Sequence, residues 1–456
     1  LYCSWANILQ IQDLGLVDNV LYAKKTAAGS KNRFIYYPDR LNRLPSPGAG
    51  PDFVNLFSLA QSGLMGGVYQ ALFEAFKPKR PDSLTDESIG SFIARRVDRR
   101  LADNLVSAVM HGIYAGDVWQ LSARTLLEKA WTLEGQDGSI INGIFNTVMK
   151  DPERTWMHPY DADALDAMHE DFSIEPKFAA ELKDSAMFSF RNGIQQLITT
   201  LQQNLEDSNQ VEFRLRTHVQ DLKYIGGEEP QMQVSTTPTG DQTSTPELES
   251  YDLVLSSRRD PSLAPTVTVM TVNLFYPVPN LAPVTGFGYL IPQSVPFAQN
   301  PERALGVIFD SDAIVGQDTA SGTKLTVMLG GHWWDGWESY PSEEEGVEMA
   351  KAVVERHLGI VGEPVVSHAR LARDCIPQYT VGFDERLKAY AEKVKNDYRG
   401  RVRMVGNLYH GVGVNDCIRA AWSVACGLRG SGWRDRATGL ERVSDVRDWT
   451  YYRYRE

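Results

Sequence analysis

The stretch RVRMVGNLYHGVGVNDCIRAAWSVACGL, residues 401–428, limits the fold more than any other part of the chain. Val402 to Val405 reads as a short strand, Gly406, Gly411 and Gly413 as a turn, and a helix opens at Asn415 or Asp416. A strand that runs through glycines into a helix N-terminus belongs to an α/β fold, where backbone N–H groups and the helix dipole can cradle a phosphate. A dinucleotide fold carries its main glycine loop near its start, so a turn of this kind at the far end calls for a partner elsewhere.

The 456 residues exceed one ordinary core, and two or three domains are expected. With 43% hydrophobic and 23% charged residues the chain is a folded globular protein. Its net charge of -12 and the absence of a basic face or RNA-binding signature argue against nucleic acid as a partner. An anionic ligand would need a local cation. Cys3, Cys375, Cys417 and Cys426 are scattered without ligand-spaced histidines, which predicts free thiols and neither a disulfide framework nor a metal site. The run PTVTVMTVNLFYPVPNL is β-branched and broken by Asn273 and prolines, and is predicted to be a buried strand rather than a membrane span.

The N-terminus opens in mid-pattern, without a targeting leader: Ile8, Leu9, Ile11 and Leu14 form the apolar face of a helix stopped at Gly15. NRFIYYPDRLNRLP predicts a hairpin, with Phe34 to Tyr37 as strand and Pro38-Asp39 as turn. From Asp52 to about Phe172 the pattern is helical, including one apolar helix from Phe53 to Phe76, a helix starting with acidic residues in TDESIGSF, and a helix capped by Ser122. VEFRLRTHVQDLKYI predicts a strand, and the following polar stretch from Gly226 to Ser250 an exposed tip or insertion with too little apolar surface to pack. YDLVLSS, TVTVMTVNLFY, GFGYLIP, ALGVIFDS and KLTVMLGGHWW predict further strands, and SEEEGVEMAKAVVERHLGI a charged helix.

Eight segments in order, IQDLGL, NRFIYYPDRL, DESIGSFIARR, HGIYAGDVWQLS, VTGFGYLIPQSVPFAQNPERALGVIFDSD, LTVMLGGHWW, CIPQYTVG and GVGVNDCIRAA, together resemble the protoporphyrinogen oxidases, their fungal members in particular. The resemblance implies a mixed α/β (α+β) fold of the flavin amine oxidase type. It has a discontinuous FAD-binding domain (1–20, 176–260 and 401–428), a strand-rich substrate domain (21–50 and 261–400) and an inserted helical, membrane-associated domain (51–175). An atypical tail, 429–456, follows. The FAD domain is expected to be N-terminally incomplete, because residues 1–456 contain no GxGxxG run and the resemblance places one before Leu1. A further shortening is expected near residue 258. A chain of these residues alone is therefore expected to hold FAD weakly.

The resemblance implies oxidation of protoporphyrinogen IX by FAD, with oxygen as acceptor, in haem synthesis. The implied setting is the periphery of the mitochondrial inner membrane; the implied partners are protoporphyrinogen IX, oxygen, a membrane surface and a second copy in a homodimer. Arg33 corresponds to an arginine that pairs with a substrate propionate, a role suited to a bidentate guanidinium. Phe287, Leu290 and Met328 correspond to positions around the macrocycle, and Gly112 to a glycine whose backbone faces it. Val219 corresponds to a contact on the adenine side of FAD, and Val405, Gly406, Asn407, Gly413 and Val414 to the flavin-contacting segment. No catalytic side chain is implied, and His111, His218, His332 and His410 are assigned no role, because hydride transfer to a flavin requires no strong protein base. The helix ending in KPKR is expected to rest on a membrane. Two other readings stay open: an inactive chain that retains a porphyrin-binding slot, and another flavin amine oxidase.

Overall fold

The computed structural model describes residues 5–45, 53–148, 154–171, 173–241, 243–431, 434–447 and 449–453. Its largest element is a seven-stranded sheet. In chain order the strands are β1 (Phe34–Tyr36), β2 (Leu41–Arg43), β3 (Thr266–Tyr276), β4 (Gly288–Leu290), β5 (Ala304–Phe309), β6 (Thr323–Gly330) and β7 (Val366–Pro377). In space they run β7-β3-β6-β5-β4-β1-β2. The β-branched run of β3 forms the spine of the sheet, antiparallel to both β6 and β7. β1 joins β4 in parallel, with Phe34 beside Tyr289 and Ile35 beside Leu290.

Alternation gives this sheet two different faces. Met270, Val272, Leu274, Tyr289, Val307, Leu325, Val327 and Leu329 point into the main core, where they meet Ala350, Val353, Val354 and Leu358 of helix α5 (Glu343–Leu358). That helix starts at a capping box, Ser342 with Glu345, and ends at Gly359 with φ +69°. The sheet and helix approach closely at Gly346, where a Cβ would stand 2.1 Å from the Met270 sulfur. The opposite face carries Ile35, Leu290, Gly306, Met328 and Thr271.

The mixed α/β class follows from this sheet together with a second, parallel pair. Strand β8 (Val402–Met404) lies beside Val254–Ser256 in parallel and leads to helix α6 (Val414–Ser431), one residue earlier than Asn415. The far edge of β8 is covered by the tail: Met404 N donates to Thr438 O at 2.7 Å, and Arg403 pairs with Asp435. Helix Phe383–Tyr398, unassigned from the sequence, buries Phe383, Leu387, Ala391 and Val394 against Val402 and Met404. Helix α1 (Trp5–Asp13) packs on α6 through Asn7, whose Nδ2 donates to Asn415 Oδ1 at 2.8 Å.

Several sequence expectations need correction. The strand expected from Val211 begins only at Thr217 and runs to Ile225. The polar stretch after it does pack: Gln231–Pro238 and Glu247–Tyr251 form a three-stranded sheet with Thr217–Ile225, because Met232 and Val234 alternate inward and are buried. The helix expected over Phe53 to Phe76 is a helix Phe53–Ser62 and a 3-10 helix Val68–Phe76, parted where Gly63 and Gly67 take positive φ. A side chain at Gly67 would meet Asp98, so the break is fixed by packing. Strand Arg154–Met157 interrupts the expected helical block and pairs with Thr450–Arg453 of the tail. The acidic residues expected in a first helical turn precede the true cap, Ser88, of helix α2 (Ile89–Arg96). Asp86 instead accepts from Ser122 Oγ and from Gly382 N. Ser122 caps Ala123–Leu126 as expected. Cys375 and Cys417 are free thiols, while Cys3, Asp52 and Phe172 lie outside the described residues.

A buried charge cluster ties the helical block together. Glu74 pairs with Arg96, accepts from Ser139 Oγ at 2.6 Å, and accepts from Ile140 N and Ile141 N at the start of helix α4 (Ile140–Val148). Glu134, fully buried, pairs with Arg80 and Arg95 at 2.8 and 2.6 Å. Burial acts to raise the Glu74 carboxyl, but hydrogen bonds from Ser139, Ile141, Ile140 and Arg96 hold it below the usual range. Glu74→Gln is expected to cost about 3 kcal/mol, because it leaves the buried Arg96 with Glu134, 3.5 Å away, as its remaining anion. Because the folded-state pKa is depressed, this stabilisation is complete above the unfolded carboxyl pKa and is lost as pH falls through the folded one. Thermal melts should therefore show a large gap between wild type and variant at neutral pH that narrows in acid.

Candidate functional site

The face of the sheet turned away from α5 has an apolar row with a gap in it. In register across four strands stand Ile35, Leu290, Gly306 and Met328, followed by Thr271. Gly306 has no side chain between Leu290 and Met328, and the Leu290 methyls lean over it toward Gly112. A Cβ there would lie 2.6 Å from Tyr289 O and 3.0 Å from Leu290 Cδ2, so the close strand approach requires glycine. The next row begins with Gly288, φ +135°, where a Cβ would sit 2.2 Å from Val307 O. Two neighbouring strands thus each give up a side chain on the same face.

Helix α3 (Ser107–Tyr114) lies over this face. A Cβ on Gly112 would come within 2.9 Å of Leu290 Cδ1, so the helix backbone rests on the leucine. Arg33 stands at the mouth. It is exposed, its guanidinium lies 5.7 Å from the Phe287 ring centroid, and Phe287 N donates to Asn32 O at 2.9 Å. Among the described residues Arg33 makes no ion pair, which leaves a cation beside an apolar slot. The structure therefore joins Arg33 to Phe287 and Gly112 to Leu290, with Met328 across Gly306 from Leu290.

The histidine pair beside the slot was given no role from the sequence. His111 Nδ1 lies 2.6 Å from Ile291 O, and His111 Nε2 lies 2.8 Å from His332 Nε2. Burial, reinforced by His332, pushes His111 down to about 3. Burial likewise takes His332 down to about 4, with Asp117 acting upward and Arg303 downward. Both rings are neutral near pH 7. A carbonyl only accepts, so His111 carries its proton on Nδ1 and takes one at Nε2 from His332. His218 is exposed on Thr217–Ile225, and His410 Nε2 donates to Gly439 O at 2.7 Å.

The glycine turn gathers the second group of predicted residues. Val405 N donates to Ser256 O, Gly406 has φ +124°, and Asn407 O accepts from the Tyr379 hydroxyl, which itself accepts from Gly411 N at 3.1 Å. Gly413 O accepts from Asp416 N and Cys417 N, and Val414 opens α6. The carboxylate of Asp416 fills the turn: a Cβ at Gly411 or Gly413 would lie 2.7 or 3.0 Å from its Oδ2. Asp416 also lies 3.5 Å from Arg419, and its carboxylate offers an acceptor for hydroxyl donors at the turn. Val219 lies apart, opposite Thr236 on the three-stranded sheet. A cavity of about 620 Å³ adjoins the turn, lined by Gly411, Tyr379, Tyr114, Arg419 and Arg442 among others, and does not include the slot residues. Tyr114, two residues beyond Gly112 on α3, connects the two regions.

Over 436 residues the chain is 32% identical to the protoporphyrinogen oxidase of Schizosaccharomyces pombe, covering 92% of this chain and 83% of the relative. The chain belongs to the protoporphyrinogen oxidase family. The Homo sapiens protoporphyrinogen oxidase is 28% identical, with 93% of this chain and 84% of that protein covered. A solved Exiguobacterium protein assigned to the protoporphyrinogen oxidases superposes with a TM-score of 0.63 at 21% identity, over 92% of this chain and 83% of its own. Cyclohexylamine oxidase from Brevibacterium oxydans shares the fold at a TM-score of 0.54 and 12% identity, over 93% of this chain and 85% of its own. No family model matches the chain.

For a protoporphyrinogen oxidase, the sequence reading missed Gly288 and Gly306. Glycines inside the strands GFGYL and ALGVIF were the available signal. Asp416 was missed because the fill of a turn by its own carboxylate is a property of geometry, not of spacing.

A methyl group at Gly112 must displace the end of Leu290. Gly112→Ala should destabilise the wild-type background by about 1–3 kcal/mol despite alanine's better helix propensity. In a Leu290→Ala background the same change should be neutral or stabilising. Thermal unfolding of the four proteins should give a coupling above about 0.5 kcal/mol, whereas additivity would mean that the two residues do not touch.

Proposed function

We propose that this chain oxidises protoporphyrinogen IX to protoporphyrin IX in haem synthesis, with the tetrapyrrole in the slot over Gly306 and a flavin, FAD, against the Val405–Val414 turn. The observation that carries the reading is the row Leu290–Gly306–Met328 beneath Gly112, with the unpaired cation Arg33 at its mouth. The Leu290 side chain lies over Gly306 against Gly112, and with the Met328 thioether it offers an apolar edge on which a large flat ring can rest. Phe287 extends the apolar surface toward Arg33. The guanidinium then meets a propionate and fixes the ring's orientation.

The residues present fit part of the cofactor. Backbone groups of Val405, Gly406, Asn407, Gly413 and Val414 would hold the ring and sugar-alcohol side, where Asp416 can accept from hydroxyl groups. The pyrophosphate requires a glycine loop of the GxGxxG type, and residues 1–456 contain no such run. Val219 would serve the adenine side. FAD supplies hydride acceptance and the return of electrons to oxygen; the protein's own part is to bind, orient and desolvate the substrate.

We also infer peripheral attachment to a membrane, as part of the mitochondrial inner-membrane setting. Among the described residues no helix is long and apolar enough to cross a membrane. Leu72, Phe73 and Phe76 of the 3-10 helix, 76, 59 and 84% exposed, and Ile144 and Phe145 of α4, on which that helix packs, are exposed apolar side chains. In the KPKR run that follows, Lys79 is exposed and suits anionic headgroups, while Arg80 is held by Glu134 and Lys77 donates to Val97 O.

Arg33→Ala should weaken protoporphyrin IX binding roughly ten- to a hundredfold, the loss of one charge-assisted pair. The dimethyl ester, which lacks the propionate charges, should bind wild type and variant alike. Fluorescence titration of both ligands checks this, and equal losses on both would remove Arg33 from the reading.

A further inference from the structure

We propose that His111 and His332 are positioning residues that set the width of the tetrapyrrole slot, by tying helix α3 to the ends of the two strands that carry Leu290 and Met328. The proposal rests on the slot reading above and concerns how the slot is held. His111 precedes Gly112 on α3, and its Nδ1–H donates to the carbonyl of Ile291, the residue after Leu290. His332 follows the end of β6 by two residues, and its ring donates to His111 Nε2. The same residue's backbone N donates to Ala115 O at 2.8 Å, at the C-terminal cap of α3. One imidazole pair therefore joins both slot walls to the helix that covers them.

The bonds around the pair leave little freedom. Ala115 ends α3 with φ +51°, and a Cβ on Gly331 would stand 2.3 Å from Ala115 O, so β6 and the helix end are already in contact. Gln293, three residues past Leu290, donates from Nε2 to Asp117 Oδ1 at 2.9 Å, and its backbone N donates to Ser107 Oγ at the other end of α3. Trp333 packs edge-on to His111 and tilted to His332. The charged groups nearest the pair are Asp117 and Arg303. Gly112 packs on the Leu290 methyls, which also lie over Gly306, so a small shift of α3 moves the leucine and changes the width available beside it. A neutral, buried pair that makes only positional hydrogen bonds is suited to holding that gap, and the oxidation itself makes no use of it.

The test compares wild type with His332→Gln, His332→Phe and His332→Leu in the chain of residues 1–456, by protoporphyrin IX fluorescence titration and thermal melting of each preparation. Glutamine keeps an N–H donor toward His111, whereas phenylalanine keeps ring volume without one. Leucine removes the donor with less bulk and serves if the phenylalanine variant does not fold. His332→Gln should bind within about threefold of wild type, and the folded apolar variants at least tenfold more weakly. A folded apolar variant that binds like wild type, or a glutamine variant as weak as the apolar ones, would overturn the proposal. Wild type that fails to bind protoporphyrin IX would overturn the slot reading itself, a distinct result.

Discussion

The parallel pairing of β1 with β4 is the contact on which the rest of the site depends. Phe34 and Ile35 meet Tyr289 and Leu290 across more than half of the chain, with the helical block and the whole three-stranded sheet lying between them in sequence. Such a closure is entropically costly and needs a large apolar reward. It finds one in Phe34 and Tyr36, which enter the main core with Tyr289. Once closed, it sets Arg33 beside Phe287 and completes the row from Ile35 to Met328. The cation and the apolar row are therefore consequences of one strand addition.

Much of the fold was legible because it depends on local periodicity. The alternation in TVTVMTVNLFY and KLTVMLGG, the capping residue Ser122, and the strand–glycine–helix order at the C-terminus each encode an element directly. The stretch around Met232 and Val234 was misread because Met232, joined by Leu222 and Tyr224 of the neighbouring strand, suffices to anchor the small sheet on an apolar surface, and composition averages it away. Helix Phe383–Tyr398 was readable from Phe383, Leu387, Ala391 and Val394, spaced four, four and three apart, but its high charge obscured the stripe. Register is a different matter. Nothing in the sequence states that Gly306 faces Leu290 on one side and Met328 on the other, so the slot floor had to be seen. The resemblance named Gly112 and Leu290 separately, and the geometry makes them neighbours.

The helical block solves a separate problem, the display of bulky apolar residues on its outer surface without collapse. Leu72 and Phe76 point outward from a 3-10 turn whose inward residue, Glu74, is a buried anion. Glu74 also stands at the N-terminus of α4, where the helix dipole adds to the attraction of Arg96. Charge inside and hydrocarbon outside invert the usual pattern. The inversion is stable because every charge in the cluster has a directed partner.

The cover over β8 has a consequence for assembly. Thr438 accepts from Met404, Arg403 reaches back to Asp435, and Gly439 lies so close that a side chain would strike Met404 O. An unprotected strand edge invites edge-to-edge association with another chain, and this one is sealed by the protein's own backbone. Any additional strand bound for that edge must compete with a segment tethered only some thirty residues away, whose effective concentration is on the order of millimolar. The β8 edge is therefore closed to weak strangers, and opens only to a strand that brings more contact than Thr438 and Gly439 provide.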